Sequence, residues 1–363
     1  MKQLTLVVVL VAGAGGFTAC GGSADTPDPD AAADPIDAAA DPIDARPPVD
    51  YTTPTIPVSE LLVDTYKGYP GGLYPGGNTM PPAHLAAGLA RAALIQPRDV
   101  SGAPSASGRY ILMSIGMSNA TQEWCAGGGA PPCTPNSFTG QALADVAVER
   151  TELAIVNGAL GSQTCSAWDD ASDSNWDRVG TLLTNQGFGP GQVQAIWLKC
   201  ANAGPTMALP AAGSHAYQVE TGMANIIRIA RQRYPNLQMV FVSNRIYAGY
   251  ATTTLNPEPH AYETGFALKW LVAAQIAQEA TGTIDPRAGN LALATTPWIG
   301  WGPDLWANGT TARADGLSYS QSDLAADGTH PSASGVTKVG GQLLNFFKTS
   351  PVTSCWFLAG QSC

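Results

Sequence analysis

Three polar residues, the first 212 positions before the last, are of the types that split esters: Ser118, Asp327 and His330. Ser118 lies in Ser114-Ile115-Gly116-Met117-Ser118-Asn119-Ala120, at the exit of an apolar run, where Gly116 permits a tight turn. The turn presents the serine hydroxyl, and its backbone N–H, at a helix start. By itself the motif equally describes a serine that caps a helix. Asp327-Gly328-Thr329-His330-Pro331-Ser332 puts a carboxylate three residues before an imidazole. On a turn that spacing lets Asp327 reach the far ring nitrogen of His330, fix its tautomer and stabilise the imidazolium that forms when the near nitrogen takes a proton. The chain has 4 histidines, and this is the one with a carboxylate built beside it; His84 follows two prolines, and His215 and His260 start predicted helices.

Two more turns carry candidate oxyanion donors. Gly161, in Asn157-Gly158-Ala159-Leu160-Gly161-Ser162-Gln163-Thr164, lets a backbone N–H approach a bound oxygen. Asn202, in Trp197-Leu198-Lys199-Cys200-Ala201-Asn202, can donate from its side-chain nitrogen, although an Asn after a strand is also a common turn former.

These residues need a frame. From residue 109 onward, apolar runs at 110–115, 153–156, 193–198, 237–242 and 291–294 have strand length and lack strict alternation, which means that both faces are covered, as in a parallel sheet. Between them, 140–150, 176–185, 217–234 and 262–280 have helical spacing, and 332–347 closes the chain. Residues 59–94 add a helix before the first strand. Strand followed by helix, repeated, predicts a three-layer α/β/α doubly wound sheet of about five parallel strands. Such sheets work at the carboxyl ends of their strands, where the loops above lie.

The chain resembles the SGNH hydrolases, which include the GDSL lipases and several carbohydrate acetylesterases. Gly116-Met117-Ser118-Asn119-Ala120 is similar to the Gly-Gln-Ser-Asn block of the acetylesterase branch, Gly161 to the second-block glycine, Asn202 to the third-block asparagine, and Asp327 with His330 to the closing Asp-x-x-His. Met117 stands where a polar residue is usual, and Asn202 is followed by Ala203-Gly204 rather than Asp. The likeness runs over residues 109–347. It implies an SGNH, flavodoxin-like sheet and an ester hydrolase with Ser118 as nucleophile, His330 as base and then acid, and Asp327 as its partner. It also implies an oxyanion hole formed by the Ser118 and Gly161 N–H groups and the Asn202 side chain. No metal or cofactor is expected, since C-x-x-C spacing is lacking and histidine is scarce. The competing reading is a catalytically silent, surface-anchored carbohydrate-binding protein on the same fold.

Outside the site, Asn119, Arg245, Tyr247, Tyr250 and Trp301 are candidate substrate contacts. Arg245 and the two tyrosines belong to a long polar and aromatic loop, and Trp298, Trp301 and Trp306 stand among glycines and are candidates to stack on sugar rings.

Composition sets the location. Lys2, an apolar run over 4–11 and small residues up to Cys20 read as an export signal at 1–19, with Cys20 as a lipidated first residue of the mature chain. Residues 20–55 are rich in Ala, Asp and Pro, repeat Ala-Ala-Asp-Pro-Ile-Asp, and read as a disordered linker before a single domain at 56–363. Most of the net charge of −10 sits in that linker. No basic cluster suggests nucleic acid; the partners expected are an ester substrate and a membrane reached only through the N-terminal lipid, at the cell envelope. The remaining six of the 7 cysteines suit an oxidising compartment. Six cysteines allow fifteen pairings; short loop closure favours Cys125 with Cys133 and Cys355 with Cys363, which leaves Cys165 with Cys200.

Overall fold

The computed structural model describes residues 47–125 and 131–363, so Cys20, the 1–19 signal and most of the 20–55 segment lie outside the described residues. Residues 48–363 form one compact unit. Its start lies within the segment read as linker, because Asp50–Tyr51 pairs in parallel with Thr65–Tyr66, which turns back antiparallel onto Tyr69–Pro70.

The principal sheet has five strands, all parallel: β1 (Tyr110–Gly116), β2 (Leu153–Asn157), β3 (Val193–Lys199), β4 (Met239–Val242) and β5 (Trp298–Trp301). Their spatial order is β2-β1-β3-β4-β5. The chain therefore leaves β1 to one side for β2 and returns to the other side for β3, which creates a switch point beside the end of β1. Every residue of β1 and β3 is buried, as expected of strands covered on both faces.

Alternation along the strands divides the interior in two. Ile111, Met113, Ile115, Ile196, Leu198, Val240, Val242 and Ile299 face one layer; Leu112, Ala195, Trp197, Met239, Phe241 and Trp298 face the other. The first layer contains α4 (Ser174–Asn185), α5 (His215–Arg233) and α6 (His260–Thr281), whose Val179, Ile227 and Phe266 pack on it. The second contains α1 (Pro82–Ala92), α2 (Ser118–Trp124), α3 (Phe138–Ala144) and α7 (Ala333–Thr349), with Trp124, Phe138 and Phe347 at its centre. This is the three-layer α/β/α arrangement expected from the sequence.

Local chemistry accounts for several helix ends. Pro82 occupies the first turn of α1, where its missing N–H costs nothing. Ser137 caps α3 by accepting the Gly140 N–H at 3.2 Å. Gly282, at φ 76°, ends α6 in the left-handed conformation.

Two expectations about elements are corrected. The run at 291–294 is not a strand: it turns, with Thr296 Oγ1 donating to Leu291 O at 2.8 Å, and the fifth strand is β5, pairing Met239↔Trp298 through Val242↔Trp301. The helix expected over 140–150 is α3, which stops at Ala144, where Asp145 turns to extended φ/ψ and accepts the Ala147 N–H. The three disulfides are Cys125–Cys133 and Cys355–Cys363, the pairs that loop closure favoured, and Cys165–Cys200, the pair left over.

Candidate active site

The end of β1 is built around Gly116. Its φ is 144°, and a Cβ there would stand 1.9 Å from the Lys199 carbonyl oxygen, so only glycine lets β1 and β3 meet at this point. Gly116 O also accepts the Leu160 N–H at 3.1 Å, drawing the loop after β2 against the turn. Met117 is extended, and Ser118 opens α2. Beneath it, Ser114 Oγ donates to Asn157 Oδ1 and Asn157 Nδ2 donates to Thr121 Oγ1, each at 2.6 Å, which locks β1, β2 and α2 together.

His330 comes from the loop before α7. Asp327 Oδ1 accepts the N–H groups of Thr329 and His330, each at 3.0 Å, so one carboxylate oxygen shapes the turn. Its other oxygen, Oδ2, accepts a hydrogen bond from His330 Nδ1 at 2.6 Å. A carboxylate only accepts, so Nδ1 carries hydrogen and Nε2 is left as the acceptor. Nε2 lies 2.7 Å from Ser118 Oγ. Partial burial pushes the Asp327 carboxyl up, but the hydrogen bonds from His330 and Thr329 outweigh it and hold the group below its ordinary value. The turn needs Gly328, at φ 62°, where a Cβ would strike the Tyr250 carbonyl at 1.9 Å. Thr252 N–H bonds to Asp327 O at 2.9 Å, and Asn119 Nδ2 to Thr329 O at 3.1 Å.

Above the serine is a cavity of about 280 Å³ lined by Ser118, Asn119, Gly161, Asn202, Arg245 and His330 among others. Gly161 is so placed that a Cβ on it would sit 4.0 Å from Ser118 Cβ. Asn202 is held on both sides. Its Oδ1 accepts the Ser166 N–H at 3.1 Å, which leaves Nδ2 as its free donor face, and its backbone N–H donates to His215 Nε2 at 3.1 Å. The Cys165–Cys200 disulfide, with Cα atoms 5.2 Å apart, ties the loop that carries Gly161 to the strand end that carries Asn202.

The expected substrate contacts divide. Asn119 and Arg245 line the cavity; Tyr247, Tyr250 and Trp301 do not. Trp301 is an inward residue of β5 whose Nε1 donates to Leu73 O at 2.6 Å. Trp298 Nε1 donates to His84 O at 3.0 Å and Trp306 Nε1 to Glu258 Oε1 at 2.7 Å, so all three indoles are core and none is displayed to a sugar. Tyr247 packs edge-on against Tyr250 and Trp306, and the Tyr250 hydroxyl donates to Tyr319 O at 3.3 Å. Their loop braces the Asp327 turn through its backbone. His84 is a core histidine, bonded to Ile299 O at 2.9 Å and stacked on Trp298.

Sequence reasoning missed three features. Ser162 lines the cavity in a left-handed conformation, φ 64°, uncommon for a residue with a Cβ. Asn256 lines it too and donates to Asn202 O at 3.3 Å. Behind Ser118 lies a fully buried ion pair, with Lys199 Nζ 2.7 and 2.6 Å from the two oxygens of Glu123. Burial pushes the Glu123 carboxyl up and the Lys199 ammonium down, to about 8. Among the described residues no cluster of three or more His, Cys, Asp or Glu is arranged to hold a metal ion.

No protein-family model matches the chain, and no curated protein does. Solved structures do. A salicylyl-acyltransferase from a tetracycline biosynthetic pathway aligns at 13% identity and TM-score 0.34 over 69% of this chain and 58% of its own. An extracellular lipase of Streptomyces rimosus aligns at 13% identity and TM-score 0.32 over 65% of this chain and 98% of its own. A protein of Parabacteroides merdae described as a GDSL-like lipase aligns at 11% identity and TM-score 0.35 over 69% of this chain and 97% of its own. At these identities and scores the class of the chain rests on its own sheet: an all-parallel α/β/α fold of order 2-1-3-4-5 with polar side chains converging at the switch point.

Proposed function

We propose that this protein is a serine hydrolase of carboxylic esters, of the SGNH type. The observation that carries the reading is the unbroken line from Asp327 Oδ2 through His330 to Ser118 Oγ, with steps of 2.6 and 2.7 Å, at the wall of a cavity. Ser118 Oγ attacks the ester carbonyl as His330 Nε2 takes its proton, and Asp327 stabilises the imidazolium. The Ser118 and Gly161 N–H groups and Asn202 Nδ2 receive the oxyanion. The alcohol leaves with the proton from His330, and water then attacks the acyl-enzyme by the same route.

A cavity of about 280 Å³ suits a short acyl chain. O-acetyl esters of carbohydrates follow from the likeness of Gly116–Ala120 to the acetylesterase motif; the tryptophans lend that substrate no support, being core. Three disulfides favour an exported protein, and the reading of Cys20 as a lipid anchor at the cell envelope belongs to the same proposal. The unbroken hydrogen-bonded line supports turnover over a silent binding protein.

A fluorophosphonate probe tests the chemistry: it labels the purified wild-type protein and fails to label Ser118→Ala, and absence of labelling on the folded wild type rejects the reading.

A further inference from the structure

Arg245 is 1% exposed, yet among the described residues its guanidinium makes no hydrogen bond and no ion pair. Its Nε and Nη2 are buried without any acceptor. Buried cations are ordinarily paired, because a charge removed from water without a partner is costly. Arg313, whose side chain is 8% exposed, obeys the rule: it is bridged to Asp304 and Asp315 and donates to the carbonyls of Asp304 and Trp306.

The carboxylates around Arg245 are already engaged. Both oxygens of Glu123 are on Lys199. Glu258 accepts from the Ala248 and Tyr262 N–H groups and the Trp306 indole. Asp327 serves Thr329 and His330. Burial pulls the Arg245 guanidinium below its ordinary value, and these charges oppose that only at a distance while leaving its donors unused. Its backbone is pinned, with the Arg245 N–H on Thr264 Oγ1 at 3.0 Å, and the residue borders the same cavity as Ser118 and His330.

We propose that Arg245 is an anion subsite of the catalytic cavity, and that the ester this protein hydrolyses carries a carboxylate near its scissile bond. This rests on the serine hydrolase reading for the word ester, but not for the anion. A carboxylate in the cavity would bring the guanidinium the charged acceptor that no neighbouring side chain supplies. The residue sets specificity and takes no part in the proton transfers.

The test compares kcat/KM on two charged and neutral pairs, with spontaneous hydrolysis subtracted. 4-Nitrophenyl hydrogen glutarate against its methyl ester puts the carboxylate on the acyl side; 4-acetoxybenzoate against its methyl ester puts it on the alcohol side. In at least one pair the wild type prefers the anion by about 10- to 100-fold, the range for hydrogen bonds to a charged group. Arg245→Gln collapses that ratio to near one, and Arg245→Lys restores part of it. A ratio near one in both pairs for the wild type, or a ratio unchanged in Arg245→Gln, overturns the inference while leaving the esterase intact. An equal loss on charged and neutral esters also overturns it, since that marks an oxyanion donor.

Binding separates this from failure of the hydrolase reading, and from misfolding of the variant. By calorimetry on Ser118→Ala, glutarate or 4-hydroxybenzoate binds at least tenfold more tightly than the corresponding primary amide. That preference requires no turnover, and its absence for both anions rejects the subsite.

Discussion

Asn202 and His215 are joined through a backbone donor and a ring acceptor: the Asn202 N–H points at His215 Nε2 from 3.1 Å. An imidazole can accept there only while neutral. Burial, with the neighbouring His260 and Arg245, pushes its pKa down to about 3, so it stays an acceptor across the ordinary working range. His215→Phe removes the acceptor and loosens the loop that aims the Asn202 amide. The loss of one neutral hydrogen bond, about 1 kcal/mol, corresponds to roughly a fivefold fall in kcat with little change in KM. Steady-state kinetics on a short nitrophenyl ester measures it, and a change confined to KM would count against a positioning role.

The Asn202 side chain itself should matter more. With Oδ1 held by Ser166, its Nδ2 is the donor left for the proposed oxyanion. Asn202→Ala should fold normally and lose on the order of 100-fold or more in turnover. Full activity in a variant with wild-type circular dichroism and melting temperature would remove Asn202 from the site.

The disulfide Cys165–Cys200 closes a loop of 35 residues and joins the segments that carry Gly161 and Asn202. Its removal by Cys165→Ser with Cys200→Ser should lower stability by roughly 3 to 4 kcal/mol, through the freedom regained by the unfolded chain. At about 2–4 °C per kcal/mol for a domain of this size, the melting temperature falls by roughly 10 °C in calorimetry. No shift in the double variant would mean that the loop is held by other contacts.

Acid should weaken the fold through His84. Burial pushes its pKa from 6.5 down to about 4, so between those values the unfolded chain binds a proton that the folded chain refuses. The stabilisation is whole above pH 6.5 and is lost as pH falls towards 4, at up to about 1.4 kcal/mol per pH unit. Glu220, pushed up to about 7 by burial, acts in the opposite sense between 4.5 and 7, so the informative quantity is a difference. Denaturant unfolding of the wild type between pH 7 and 4.5 should show the steeper loss, and His84→Gln the shallower one. Equal slopes would show that His84 is free to protonate in the folded state.

The pair Lys199 and Glu123 offers a contrast between two variants. Glu123→Gln strands the Lys199 cation in the interior and should cost about 3 to 5 kcal/mol, whereas the double change Glu123→Gln with Lys199→Met, which removes both charges, should cost much less. Unfolding free energies of the two proteins decide it; equal losses would mean that shape, not charge, matters at this place.

The sequence by itself determined what depends on neighbours along the chain. The period of the apolar runs announced four of the five strands, and Gly116 before Ser118 marked a turn at a strand exit. The three-residue spacing of Asp327 and His330 sufficed for their bond, because one turn brings both groups within reach. Two short-range signals went astray for a common reason. The run at 291–294 is as apolar as a strand, yet β4 pairs with Trp298–Trp301, and pairing is a choice between distant segments. The tryptophans stand among glycines, as an exposed loop might, but their partners Leu73, His84 and Glu258 come from elsewhere in the chain.

Only the tertiary structure decided the electrostatics. Lys199 ends an apolar strand, and nothing in its surroundings says that Glu123, 76 residues earlier, will neutralise it in the interior. Nor does the loop around Arg245 reveal that its guanidinium will be enclosed without an acceptor. A charge is paired or left unpaired by whatever packs against it from other elements, and that information exists once the sheet has closed and the loops have met at its switch point.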